Sequence, residues 1–204
     1  MNKAEKLHIG IMKQHAEYRV EDAGNWISKI DPESNFYREV TNYGGCCTFY
    51  QWLACLVKIT KPKLVCEMGA DLGGSAAFIL SELPKNGHLY SIDIKTKEQG
   101  GWKLVPDWDK RITIIEGRDD ADPNSYPRDF PWKDIDLWFI DSDHSYPHVK
   151  EQMDMIMPHL KSGAIIVNHD THMFGLVDML KGYPWDYWDD EKKIFNNGIG
   201  LHVV

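Results

Sequence analysis

The chain has no cysteine framework, no basic block and no long apolar run. Its 204 residues include four cysteines, Cys46, Cys47, Cys55 and Cys66. None stands in a C-x-x-C pair, and adjacent Cys46 and Cys47 rarely bridge each other, so neither a disulfide scaffold nor a cysteine-bound metal is expected. Their neighbours are apolar, which makes them reduced thiols in or near a core, as in a cytoplasmic protein. Acids outnumber Lys and Arg by 31 to 23, for a net charge of −8. Without a basic patch, that charge excludes a nucleic-acid partner on electrostatic grounds. No apolar run approaches the roughly 18 residues of a membrane span. The opening "MNKAEKLHIGIMKQH" lacks the continuous apolar core of a signal peptide, so no membrane partner is expected. Repeats, low-complexity tracts and linkers are absent as well. What is left is the composition of a folded domain, 43% hydrophobic and 26% charged, long enough to bury a core.

Periodicity then divides the chain. Ala4, Leu7 and Ile11 lie on one face of a helix over residues 3–16. "CCTFYQWLACLVKI" (46–59) is apolar all round, as in a buried helix. Short apolar runs at 64–66, 88–94, 111–117, 135–143, 163–170 and 198–204 read as strands. Helical patterns fall between them at 74–83, 146–160 and 171–181. Alternation of this kind predicts an α/β fold: a Rossmann-like, doubly wound, mostly parallel sheet of seven strands with helices on both faces, in a single domain. Such sheets bind ligands beyond the carboxyl ends of their strands. Here those ends carry Glu67, Asp93, Glu116–Asp120, Asp141–His144 and Asn168–Asp170.

After the first strand comes "LVCEMGADLGGSAAF" (64–78). Its glycines, Gly69, Gly73 and Gly74, do not follow the G-x-G-x-x-G spacing of a pyrophosphate loop. Glu67 and Asp71 flank the loop, and acids repel phosphate. The loop therefore suits a ligand with an amino group and no phosphates.

"VCEMGADLGGS", "LYSIDI" and "IDLWFIDSDHSY…LKSGAIIVNHDTH" together resemble the class I S-adenosylmethionine-dependent methyltransferases, in the small O-methyltransferase-like and cephalosporin-hydroxylase-like branch. The resemblance covers 40–204 and leaves 1–39 as an N-terminal helical segment. It implies S-adenosyl-L-methionine as cofactor and a small-molecule acceptor. Glu67, Gly69, Asp71, Gly73 and Ser75 fall in the loop that holds the methionine part, with a carboxylate toward its ammonium. Asp93 falls where the family places an acid on the ribose hydroxyls. Arg118 and Asp119 face the adenine, and Arg118 stands where the family usually has an acid. Asp141 lies beside the methyl group.

The same resemblance places Asp141, His169 and Asp170 at the positions that hold a divalent cation, Mg or Mn, in metal-dependent relatives. His169 departs from the oxygen-only pattern and favours a softer ion than Mg. Either the metal differs, or His169 is not a ligand, or no metal is used. Without a metal, a histidine must take the acceptor's proton. His144 is the first candidate and His169 the second; the alternative for His144 is a cap on the helix near Tyr146. His148 and His172 read as surface or capping residues. "FYREVTNYGGCC" (36–47) reads either as a flap over the cofactor or as a connecting loop. "KGYPWDYWDD" (181–190) reads as core packing, an acceptor wall or a contact in a homo-oligomer. Two rival functions remain open at this point: a nicotinamide-dependent oxidoreductase, and a non-catalytic protein that binds S-adenosylmethionine.

Overall fold

A computed structural model describes residues 1–41, 46–94, 100–191, 194–195 and 197–204; the side chains of Val20, Glu39, Cys46 and Cys47 also fall outside the description. The flap reading therefore lies partly outside the described residues. Of the cysteines, Cys55 and Cys66 are buried free thiols.

The elements run α1 (Lys3–His15), α2 (Asn35–Thr41), α3 (Cys46–Thr60), β1 (Leu64–Met68), α4 (Gly74–Glu82), β2 (His88–Asp93), α5 (Trp108–Arg111), β3 (Ile112–Glu116), β4 (Leu137–Ile140), α6 (Tyr146–Ile156), β5 (Ile165–His169), α7 (Leu176–Lys181), β6 (Asp186–Asp189) and β7 (Ile199–Val203). They form one seven-stranded sheet in the order β3-β2-β1-β4-β5-β7-β6. The strands from β3 to β5 are parallel, and β7 runs antiparallel between β5 and β6.

Side-chain alternation on the strands makes two cores, one on each face. Leu137 and Phe139 of β4 face the side covered by α1, α3 and α4, where Ile11, Leu53 and Ile79 are fully buried. Trp138 and Ile140 face the opposite side, with Val149 and Met153 of α6 and Leu180 of α7. α1 starts with a full capping box, in which Asn2 Oδ1 accepts from Glu5 N and Glu5 Oε2 accepts from Asn2 N. Asn2 Nδ2 also donates to Tyr187 O, which ties this first helix to β6.

One expectation needs correction, and one strand was not expected. The segment 171–181 is helical only from Leu176, because Phe174 (φ +51°) and Gly175 (φ +77°) hold a turn ahead of it. Residues 186–189 form a strand, and the aromatics around them pack inward. Trp188 stacks on His8 with centroids 3.5 Å apart, and Tyr183, Trp185 and Tyr187 surround His202.

His202 is fully buried, and neither ring nitrogen has a hydrogen-bond partner among the described residues. Burial lowers its pKa to about 3. Burial also lowers that of His8 to about 4, against the opposing charge of Asp190. The unfolded chain takes these protons near pH 6.5 and the folded chain does not. Their contribution to stability is therefore complete above pH 6.5 and is lost as pH falls toward the folded values. Between pH 6.5 and 4 the loss at His202 alone is about 3 kcal/mol. Glu67, raised to about 7, acts in the opposite sense. The difference between wild type and His202→Phe in urea titrations isolates the histidine: the wild type loses stability more steeply on acidification. Parallel curves would show that His202 does not titrate with unfolding.

Candidate active site

Gly69 follows β1 at φ +94°, a conformation open to glycine. A Cβ there would run into the Asp141 carbonyl and the Ser142 Cα. The glycine thus lets the loop after β1 press against the end of β4. Gly69→Ala should destabilise the fold by about 3 kcal/mol, from positive-φ strain plus overpacking, as read by urea unfolding. A loss below 1 kcal/mol would mean that the loop yields freely.

The loop is held from both ends. Asp93 Oδ2 accepts from Ala70 N (2.8 Å) and Asp71 N (2.9 Å). Beneath it, Glu67 is fully buried. Ser75 Oγ donates to Glu67 Oε1 and Ser91 Oγ to Oε2, each at 2.5 Å. Burial raises the Glu67 carboxyl to about 7, against those two bonds. This corrects the expectation for Glu67 and Ser75: the carboxylate anchors β1 to α4 and β2 from below and does not face the cavity. Gly73 (φ +85°) is likewise closed off, because a Cβ there would strike the Trp102 ring.

Over this loop, at the carboxyl ends of β1 to β4, lies a cavity of about 500 Å³ lined by Gly69, Asp71, Asp93, Ile94, Asp119, Asp120, Asp141, Ser142, Asp143 and His148. That volume is within the usual range for a small-molecule site. Six of the ten lining residues are aspartates, and none is Lys or Arg among the described residues. Arg118 is exposed and does not line the cavity. The neighbouring acid that turns inward is Asp120, 4% exposed. Its Oδ1 lies 2.7 Å from His148 Nε2, and its backbone carbonyl accepts from Tyr126 OH. The hydrogen bond to Asp120 raises the His148 pKa, against burial. Gln152 Nε2 donates to Ser142 Oγ, which lies 3.5 Å from His148 Nε2. His148 is thus a cavity residue and not a surface cap.

Beside the cavity, and sharing Asp141 with it, is a second group. Asp141, His144 and His169 each offer a ligand atom, all within 4.8 Å of one another. His169 Nδ1 lies 2.8 Å from Asp141 Oδ1 and 3.2 Å from Asp170 Oδ1. His144 Nε2 lies 3.4 Å from Asp170 Oδ2 and 3.8 Å from Asp141 Oδ1. Burial alone would lower the pKa of His169, but Asp141 and Asp170 outweigh it and hold it above its usual value. The ring of Phe49 packs 4.3 Å from that of His169 and closes the far side. The start of α6 is served by Asp143, whose carboxylate accepts from Ser145 N, so His144 is left to face the aspartates.

Residues 66–171, just over half of the chain, match the family described as a methyltransferase domain. The chain belongs to that methyltransferase family. A rhamnosyl O-methyltransferase of Mycobacterium leprae (strain TN) is 29% identical over 123 residues, which are 56% of this chain and 51% of that protein; the match thus spans about half the relative's length. Among solved structures, the O-methyltransferase TomG from Streptomyces achromogenes, in complex with SAM, superposes with a TM-score of 0.66 at 16% identity, covering 100% of this chain and 99% of that one. An O-methyltransferase from Bacillus cereus, in complex with SAH, gives 0.61 at 13% identity, covering 93% and 100%. At such identities the superpositions establish the shared fold.

In this methyltransferase, the pairing of two cavity residues escaped the sequence reading. Asp120 and His148 are 28 positions apart and belong to different elements, so no local pattern joins them. The available signal was modest: two consecutive acids after Arg118, and a histidine in the first turn of α6. His172 also proves to be paired, with Nε2 2.6 Å from Asp189 Oδ1.

Proposed function

We propose that this methyltransferase moves a methyl group from S-adenosyl-L-methionine to a hydroxyl of a small molecule, with His144 taking the proton. One observation carries the reading: a cavity lined by six aspartates meets a histidine–aspartate cluster at a single residue, Asp141. A surround of carboxylates favours a ligand bearing an ammonium and a sulfonium and disfavours a pyrophosphate, which leaves the nicotinamide reading without support. S-adenosylmethionine would supply an electrophilic methyl group, S-adenosylhomocysteine leaving as the C–S bond is exchanged for the new O–C bond. The residues of the chain do the rest. Asp93 is placed for the ribose hydroxyls, and Asp119 and Asp120 for the adenine. Asp141 and Asp170 stand against His144 Nε2 and hold the ring in place. The name of the mycobacterial relative makes a deoxysugar hydroxyl the first acceptor to try, beside catechols and phenols.

The cluster also fits a divalent cation. Asp141, His144 and His169 converge, and Asp170 stands against both histidines. A mixed imidazole and carboxylate set suits Mn²⁺ better than Mg²⁺. Bound there, a cation would lower the pKa of the acceptor hydroxyl and orient it. Chelation should then depress turnover, and Mn²⁺ should restore it more fully than Mg²⁺. Full activity in excess chelator would remove the metal from the reaction.

Calorimetry with S-adenosylhomocysteine and NADH tests the central reading. Binding of the first and not the second is expected. Binding with no methyl transfer to any acceptor in the panel would favour a non-catalytic role.

A further inference from the structure

We infer that Asp189 is a positioning residue for the histidine–aspartate cluster, acting from the far side of β7 through Thr171 and His172. Its effect on turnover rests on the methyl-transfer reading; its effect on geometry does not.

Asp170 is a non-glycine residue at φ +54°, directly after β5. Aspartate tolerates this region better than most residues, but such a conformation persists where its surroundings fix it. Asp170 itself faces the two histidines, so the restraint comes from the residues that follow it. Thr171 is fully buried, and its Oγ1 donates to Asp189 Oδ2 at 3.1 Å. His172 Nε2 lies 2.6 Å from Asp189 Oδ1, and His172 N donates to Asn197 O. Tyr187 OH donates to Asp189 Oδ2, and Glu191 N to Oδ1. A single carboxylate, 6% exposed, thus holds four groups, two of them on the turn that carries Asp170.

Two glycines of the last strand region make this reach across β7 feasible. In the sheet, Gly200 lies between Asn168 of β5 and Asp189 of β6. A Cβ on Gly200 would crowd the Tyr187 hydroxyl and the Thr171 methyl, and one on Gly198 would strike His172. "NHDTH", "DYWDD" and "GIG" therefore form one device. Nothing in it lines the cavity, so it can act on the cluster without touching the cofactor site.

The test uses the full chain labelled with ¹⁵N-histidine, in four forms: wild type, Asp189→Ala, Asp189→Asn and His172→Ala. The readouts are the ring signals of His144 and His169, together with S-adenosylhomocysteine affinity. In Asp189→Ala both ring signals should shift and broaden while the affinity is unchanged. Asp189→Asn should restore them, since its amide oxygen still accepts from Thr171 and Tyr187. His172→Ala should give a smaller shift in the same direction, and it decides the matter should Asp189→Ala not fold. Unmoved His144 and His169 signals in both alanine variants would overturn the proposal. So would a parallel fall in affinity and melting temperature across the variants, because that marks general loosening. A wild type that binds no S-adenosylhomocysteine would sink the methyl-transfer reading, while the ring signals still decide the clamp.

Discussion

His144→Ala lowers turnover by about 10²–10⁴-fold, the range for losing a positioned proton acceptor. S-adenosylhomocysteine affinity stays near the wild-type value, because His144 does not line the cavity. The argument is geometric. His144 Nε2 stands against Asp141 and Asp170. The two carboxylates hold the ring where it would take the acceptor's proton. An alanine leaves the two carboxylates in place and removes the imidazole of the loop between β4 and α6 that faces them. His144→Gln is the control, since it preserves much of the volume and a donor but cannot take a proton at neutral pH. Steady-state rates and calorimetry on the same preparations check both halves. Activity within threefold of wild type would assign the proton to another group, with His169 next in line, and an intermediate loss curable by Mn²⁺ would assign it to a metal-bound acceptor.

Asp93→Ala has the second large effect, at the other end of the site. It should weaken S-adenosylhomocysteine binding by at least about 100-fold, or about 2.7 kcal/mol. Two losses combine. The cavity loses one of its carboxylates, the one proposed to meet the ribose hydroxyls, and the loop loses the acceptor that holds Ala70 N and Asp71 N. Each hydrogen bond to a charged group is worth about 1.5–3 kcal/mol. Asp93→Asn separates them, since an amide oxygen can still hold the two backbone groups but brings no charge. An asparagine variant that binds nearly as well as wild type would place the role of Asp93 in the loop. An alanine variant of unchanged affinity would move the cofactor elsewhere.

The two variants also mark what the sequence made legible. Asp93 and His144 were readable because each ends or follows a strand whose apolar run is unmistakable, and because strand ends of this fold carry ligands. The glycine loop was readable for the same reason, though not in detail. Sequence alone places Glu67 beside the ligand. The structure turns it downward, because Ser75 and Ser91, eight and 24 positions away, offer it two hydroxyls. The buried acid after β3 is Asp120, beside the exposed Asp119 that also lines the cavity, and its partner His148 comes from α6. β6 was missed because its four residues, Asp-Tyr-Trp-Asp, are all half-buried, without the alternation that marks a strand. In each case the deciding contact is distant in sequence, and periodicity reports only on neighbours.

The place of β7 in the sheet has a consequence for how the chain assembles. β5 and β6 are adjacent in sequence among the strands, yet they never pair. Residues 186–189 pair only with 199–203, the next strand in the chain, and join the sheet through it. That hairpin closes a short loop, whereas the pairing of β1 with β4 must join Val65 to Leu137. Short closures form faster than long ones. The Asp189 carboxylate therefore travels with β7, and it reaches the turn that carries Asp170 when the hairpin docks beside β5.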